Sequence, residues 1–111
     1  MKSYQLAVSR RADSDADEIY DWLAHRSLAG ATRWYLALRR TLRSLTENPE
    51  SHSRAPEAEV VCRDIRQALF KTRRGRIYRA LFVVSDDIVH VVAIRGYGQD
   101  LATLDDLELP N

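Results

Sequence analysis

The chain has 111 residues, of which 45% are hydrophobic and 30% are charged, a composition typical of a folded domain rather than a disordered segment. This length predicts a single domain spanning residues 1–111. The lone cysteine, Cys62, excludes an intramolecular disulfide, and no apolar run is long enough to predict a signal peptide or a membrane-spanning helix. We therefore expect a cytoplasmic protein that makes no contact with a membrane.

The net charge of +1 conceals an uneven distribution along the chain. The segment from Arg63 to Arg79, which we call the basic hairpin, carries seven basic side chains and one acidic one. Residues 99–111 carry four acidic side chains and no basic one. A local basic segment in a nearly neutral chain predicts an anionic partner for that segment.

The first elements predicted are a short strand and a helix. Residues 4–8 alternate loosely between polar and apolar side chains, which predicts an edge strand. Ser9 then occupies the position of a helix cap, and apolar residues recur every three or four positions over residues 12–23. We expect the first helix to run from about Arg10 to about Arg26.

A second helix follows closely, with Ser27 as its cap and Pro49 beyond its end. Its apolar stripe over residues 31–45 includes Tyr35, and adjacent helical residues point about 100° apart. The stripe therefore places Tyr35 in the core and leaves Trp34 either exposed or at the edge of the core. The short link between the two helices predicts an antiparallel helical hairpin.

The second half of the chain changes to a period of two. Residues 50–60 read as a loop, and three strands are predicted over residues 65–70, 77–84 and 88–95. The last two strands are rich in valine and isoleucine, which places them at the centre of the sheet. Residues 99–107 are predicted to form a short helix or an extended arm, which either folds back over the sheet or frays.

The order β-α-α-β-β-β predicts an α+β fold, in which an N-terminal strand and a helical hairpin pack on a small antiparallel sheet. Residues 76–82 (RIYRALF), the acidic turn Asp86-Asp87 and residues 91–96 (VVAIRG) follow one another in that order. With Ala12-x-x-Asp15 in the first helix, they resemble the RelE/ParE toxins of bacterial type II toxin–antitoxin (plasmid stabilisation) systems.

The resemblance implies a toxin that inhibits growth by cutting messenger RNA in the ribosome or by poisoning DNA gyrase. It also implies a cognate antitoxin that neutralises the toxin, with a homodimer or a hetero-oligomer as the assembly. A non-enzymatic interaction module on the same fold, which has lost toxicity, is the alternative. No cofactor is expected, and the spacing of the three histidines predicts no metal site.

The resemblance also assigns candidate residues. Arg79 matches the sheet arginine that lies beside the scissile phosphate in the RNA-cutting branch, and Arg66 and Lys71 occupy the strand of its other basic catalytic positions. Those enzymes carry a second arginine after the last strand and then a tyrosine, whereas residues 96–99 read Gly-Tyr-Gly-Gln here. The catalytic candidates are Arg79, Lys71, Arg66 and Tyr97, and the candidates for binding nucleic acid or a partner are Arg63, Arg73, Arg74, Arg76 and Arg95.

Metal-free RNA cleavage needs a base, cations at the phosphate and an acid for the leaving oxygen. Arginine stabilises phosphate well but is a poor base, because its pKa exceeds about 12. A base would have to be Lys71, Tyr97 or His90. The missing second arginine and terminal tyrosine favour binding over catalysis. The alternative explanation of the basic residues is a solvated hairpin face, and binding to an antitoxin and a target is favoured over it.

Overall fold

The computed structural model describes residues 3–96 and 98–110. No helix within these residues is both long and apolar enough to cross a bilayer. Two single 3₁₀ turns, Pro49–Ser51 and Leu104–Asp106, accompany the regular elements. These elements are, in chain order, β1 (Gln5–Val8), α1 (Arg10–Ala24), α2 (Leu28–Ser44), α3 (Glu57–Val61), β2 (Arg66–Phe70), β3 (Tyr78–Ser85) and β4 (Ile88–Arg95).

The four strands form one sheet in the order β1-β4-β3-β2. As predicted, β2 pairs with β3 and β3 with β4 in antiparallel fashion, and β3 and β4 occupy the centre. The sheet is mixed, however, because β1 runs parallel to β4. Parallel neighbours require a long crossover connection, which the helical hairpin supplies.

Both predicted helix caps are confirmed. The Ser9 hydroxyl accepts a hydrogen bond from the Ala12 N–H at 3.0 Å, and the Ser27 hydroxyl accepts one from the Gly30 N–H at 3.0 Å. Each cap satisfies a backbone donor that the first turn of a helix leaves without an intrahelical partner. Ser27 is therefore both the last residue of the link between α1 and α2 and the cap of α2.

The side chains between the helices and the sheet form the helix-side core. The prediction for α2 was wrong by one residue, because Trp34 is 2% exposed and Tyr35 is 43% exposed. The Trp34 ring packs 6.0 Å from the Phe70 ring and 5.5 Å from the Tyr78 ring, between centroids. Helix α2 contacts both α1 and the sheet, so its apolar face is broad, and periodicity alone does not decide which flank meets the sheet.

The opposite face of the sheet is covered by α3 and by residues 99–110, which we call the C-terminal arm. This confirms the prediction that the arm folds back over the sheet rather than fraying. The Glu108 N–H donates to the Val92 carbonyl at 3.1 Å. Helix α3 begins in the predicted loop and ends one residue beyond it; with five residues it is too short to produce a recognisable period. The buried residues of this arm-side core are Ala55, Ala58, Ile65, Leu81, Val83, Val92, Ala93, Ala102 and Leu107.

Candidate functional site

Arg79 lies on β3, on the sheet face that the arm covers. Its Nη1 donates to Glu57 Oε1 at 2.8 Å and its Nη2 donates to Glu57 Oε2 at 2.7 Å. The same Nη1 also donates to Gln67 Oε1 at 3.1 Å. A bidentate pair is the strongest geometry available to arginine and a carboxylate, so protein groups already occupy the fork that would grip a phosphate.

Glu57 connects this ion pair to the C-terminal arm. It is fully buried, and its Oε2 also accepts a hydrogen bond from the Ala102 N–H at 3.0 Å. Burial by itself would raise the pKa of the Glu57 carboxyl, but the hydrogen bonds from Arg79 and Ala102 outweigh it and hold the pKa below its usual value. The carboxylate therefore stays ionised at neutral pH.

Arg95 is the cross-strand neighbour of Arg79 and is 8% exposed. Its Nη2 donates to the Asp100 carbonyl at 2.7 Å, and its Nη1 lies 3.9 Å from Asp106 Oδ2. Hydrogen bonds from the backbone and side chain of Thr103 help to lower the pKa of the Asp106 carboxyl. The arm thus provides acceptors for one of two adjacent arginines, while α3 provides the carboxylate for the other.

Arg66, another catalytic candidate, lies on the other face of the sheet. Its register partner is Phe82, whose ring belongs to the helix-side core, and cross-strand partners share a face. Arg79 stands three positions before Phe82 on β3, so it points the opposite way. The Arg66 Nη1 donates to the His52 carbonyl at 2.6 Å and to the Glu50 carbonyl at 3.2 Å.

The remaining candidates are dispersed. Lys71 is exposed in the connection that follows β2, and Tyr97 lies outside the described residues. Arg73, Arg74 and Arg76 are exposed in the β2–β3 turn, and Arg63 is exposed after α3. The structure does not bring the three described catalytic candidates, Arg79, Arg66 and Lys71, together in one cluster.

Sequence reasoning missed Glu57. Glu57 was placed in a loop, and the available signal was an acidic residue with small apolar residues nearby, Ala55 and Ala58. Asp15 was noted only as part of a family motif. Its Oδ2 accepts a hydrogen bond from the Ile94 N–H at 3.0 Å, close to the β-bulge that shifts the β3–β4 register.

An apolar groove lies on the other side of the molecule, between β1 and the helical hairpin. Its volume is about 370 Å³, and its walls include Leu6, Val8, Leu38 and Leu42. Charged side chains also line it, namely Asp13, Asp17, Arg39 and Arg43. All four residues of β1 are exposed, and in the described part of the chain β1 pairs only with β4. The outer edge of β1 therefore offers unpaired backbone groups beside an apolar surface.

Residues 6–101 match the family model described as the ParE toxin of the type II toxin–antitoxin system parDE. The chain belongs to this ParE toxin family. This match confirms the predicted resemblance to the RelE/ParE toxins and narrows it to the ParE toxins. A comparison with curated protein sequences found no match.

A solved structure has a similar fold. It is described as the chromosomal ParDE toxin–antitoxin system from P. aeruginosa, with a TM-score of 0.66 and 19% sequence identity. The alignment covers 85% of this chain and 96% of that chain. At this identity the similarity concerns the fold, which agrees with the predicted α+β arrangement. The region matched to the ParE family includes Glu57, Arg79 and Arg95 but ends before Leu107.

Proposed function

We propose that this chain is the toxin of a type II toxin–antitoxin pair and that it acts by binding DNA gyrase rather than by cutting messenger RNA. The observation that carries the proposal is the bidentate pair between Arg79 and the buried Glu57. The match to the ParE family supports the same choice, because gyrase poisoning belongs to the ParE-like branch.

The chemical requirements of RNA cleavage also favour gyrase binding over nuclease activity. The reaction needs an unengaged cation at the phosphate together with a proton acceptor beside it. Arg79 already binds Glu57 and Gln67, Arg66 lies on the other sheet face, and the lowered pKa of Glu57 makes it a weak base. A toxin that acts by binding requires none of these groups to move a proton.

The antitoxin would bind at the open edge of β1 and in the neighbouring apolar groove. An extended segment of the partner can add a strand to an exposed sheet edge through backbone hydrogen bonds. Leu6 and Val8 are 37% and 36% exposed and line the groove, where apolar side chains of the added segment would be buried. This surface is separate from the Arg79–Glu57 pair, which lies on the opposite sheet face.

The proposal is tested by inducing the chain in bacteria with and without the product of an adjacent antitoxin-like reading frame. We expect growth arrest that the neighbour relieves, inhibition of gyrase supercoiling by the purified protein, and intact messenger RNA in the arrested cells. Messenger cleavage at translating ribosomes with unimpaired supercoiling would contradict the gyrase assignment. Harmless expression of the chain alone would instead support the interaction module that has lost toxicity.

A further inference from the structure

A second cleft lies where the α1–α2 corner meets the β2–β3 turn, and the proposed function makes no use of it. Its volume is about 300 Å³. Both tryptophans of the chain line it, together with four arginines and, among the described residues, no acidic side chain. The arginines are Arg26, Arg33, Arg74 and Arg76.

Two of the four arginines of this cleft carry charges that no described acidic side chain pairs with. Within the described residues, neither Arg33 nor Arg74 forms an ion pair. Helix α2 begins at the same place, with Ser27 and Gly30 in the wall, and the N-terminus of a helix carries partial positive charge. These features together favour an anionic ligand.

A buried donor in the wall also lacks an acceptor. Trp34 is 2% exposed, and its indole Nε1 has no hydrogen-bond partner among the described residues. Buried polar groups in proteins are nearly always hydrogen-bonded, so an unpaired one needs a reason. Trp34 lines the cleft, so this unpaired donor lies in the same part of the molecule as the arginines.

The other tryptophan suggests what the anion is attached to. Trp22 is 54% exposed, and the Arg26 guanidinium carbon lies 4.0 Å from the centroid of its ring. An exposed indole supported by a stacked arginine offers a flat surface on which a nucleobase can stack. A carboxylate-bearing peptide would use the arginines but would leave this surface without a role.

We propose that the cleft binds one nucleotide unit of a single-stranded nucleic acid. Its phosphate pairs with Arg33 and Arg74, and its base stacks on Trp22. Trp34 and Tyr78 in its wall belong to the helix-side core, whereas the Arg79–Glu57 pair lies on the arm side of the sheet. The proposal is for binding and includes no strand cleavage. It is also independent of whether gyrase or the ribosome is the cellular target.

The two tryptophans provide a direct measurement, because the sequence contains no others. The full-length protein is titrated with a 5′-phosphorylated oligothymidylate while its tryptophan fluorescence is followed. We expect a saturable change whose affinity falls as salt is added. Arg33→Gln should weaken binding about tenfold, as expected for one lost charge-assisted contact. Arg40→Gln, an equal loss of charge at an exposed α2 residue outside the cleft, should leave the affinity unchanged.

Three further titrations separate the ligand classes. Trp22→Ala should weaken oligonucleotide binding and leave the binding of inorganic phosphate unchanged. Inorganic phosphate binding as tightly as the oligonucleotide would refute the stacking, and tighter binding of a poly-glutamate peptide would assign the cleft to an acidic protein partner. The absence of a saturable change, or equal weakening by Arg33→Gln and Arg40→Gln, would overturn the proposal.

Discussion

Among single residues, Arg79 and Glu57 form a buried ion pair that holds α3 against β3 on the arm-side face of the sheet. The Arg79 side chain is 17% exposed and the Glu57 side chain is fully buried. Such a pair is weak as a net source of stability, but removing one partner leaves a buried charge without compensation. The main effect of the pair on stability is therefore seen when one partner is removed and the other charge is left unpaired.

The first prediction concerns this pair. Glu57→Ala and Arg79→Ala should each lower the free energy of unfolding by about 3–5 kcal/mol, because each leaves the other charge unpaired. The double variant should lose less than the sum of the two. Urea unfolding of all four proteins gives the interaction free energy as a double-mutant cycle.

Asp64→Ala is the matched control. Asp64 pairs with Arg54 at 3.3 Å, with both side chains more than half exposed, so its removal should cost less than about 1 kcal/mol. Equal losses for Asp64→Ala and Glu57→Ala would contradict a special role for the buried pair.

Among the elements, the C-terminal arm is packed as part of the arm-side core and is not a frayed terminus. Ala102 is 1% exposed and Leu107 is 8% exposed, whereas Leu104 on the same arm is 59% exposed. The arm also accepts a hydrogen bond from Arg95 and donates one to Glu57. Its four acidic residues thus belong to a segment anchored by both apolar and polar contacts.

The second prediction compares two leucines of the arm. Leu107→Ala should lower the free energy of unfolding by about 2–3 kcal/mol, because it opens a cavity in the arm-side core. Leu104→Ala should change it by no more than about 0.5 kcal/mol, since that side chain is already in water. Chemical denaturation measures both, and similar losses would show that the arm does not pack as described.

The described residues, taken together, form one sheet with a core on each face. The helical hairpin covers one face, while α3 and the arm cover the other. The Arg79–Glu57 pair joins β3 to α3, and the Ala102 N–H joins Glu57 to the arm. Protonation of Glu57 therefore weakens the contacts among three separate segments.

The third prediction is the pH dependence that follows. The folded-state pKa of Glu57 lies below its unfolded value of about 4.3, so the ionised carboxylate stabilises the fold above that value. This contribution should be lost as the pH falls from about 4.3 through the folded pKa. The difference in unfolding free energy between the wild type and Glu57→Gln should be constant from pH 6 to pH 8 and shrink in acid. A difference that does not vary with pH would refute the assignment.

Local patterns were sufficient for most of the fold. The Ser9 and Ser27 caps, the two helices and the succession of helices and strands along the chain all depend on residues close together in the sequence. Valine-rich β3 and β4 were placed correctly at the centre, since only strands covered on both faces are apolar on both. Trp34 was misplaced because its environment is set by Phe70 and Tyr78, which are remote in the sequence.

The sequence by itself determined the class of fold, the helical hairpin and the charge of the basic hairpin, because these follow from short-range periodicity and composition. Only the tertiary structure decided that Arg79 is tied to Glu57, that Arg66 faces the other way and that the arm covers the sheet. Arg79 and Glu57 are 22 residues apart in the sequence. A local sequence pattern does not predict such a contact, and it therefore does not show whether an arginine is free to bind a ligand or is paired with a carboxylate of its own chain.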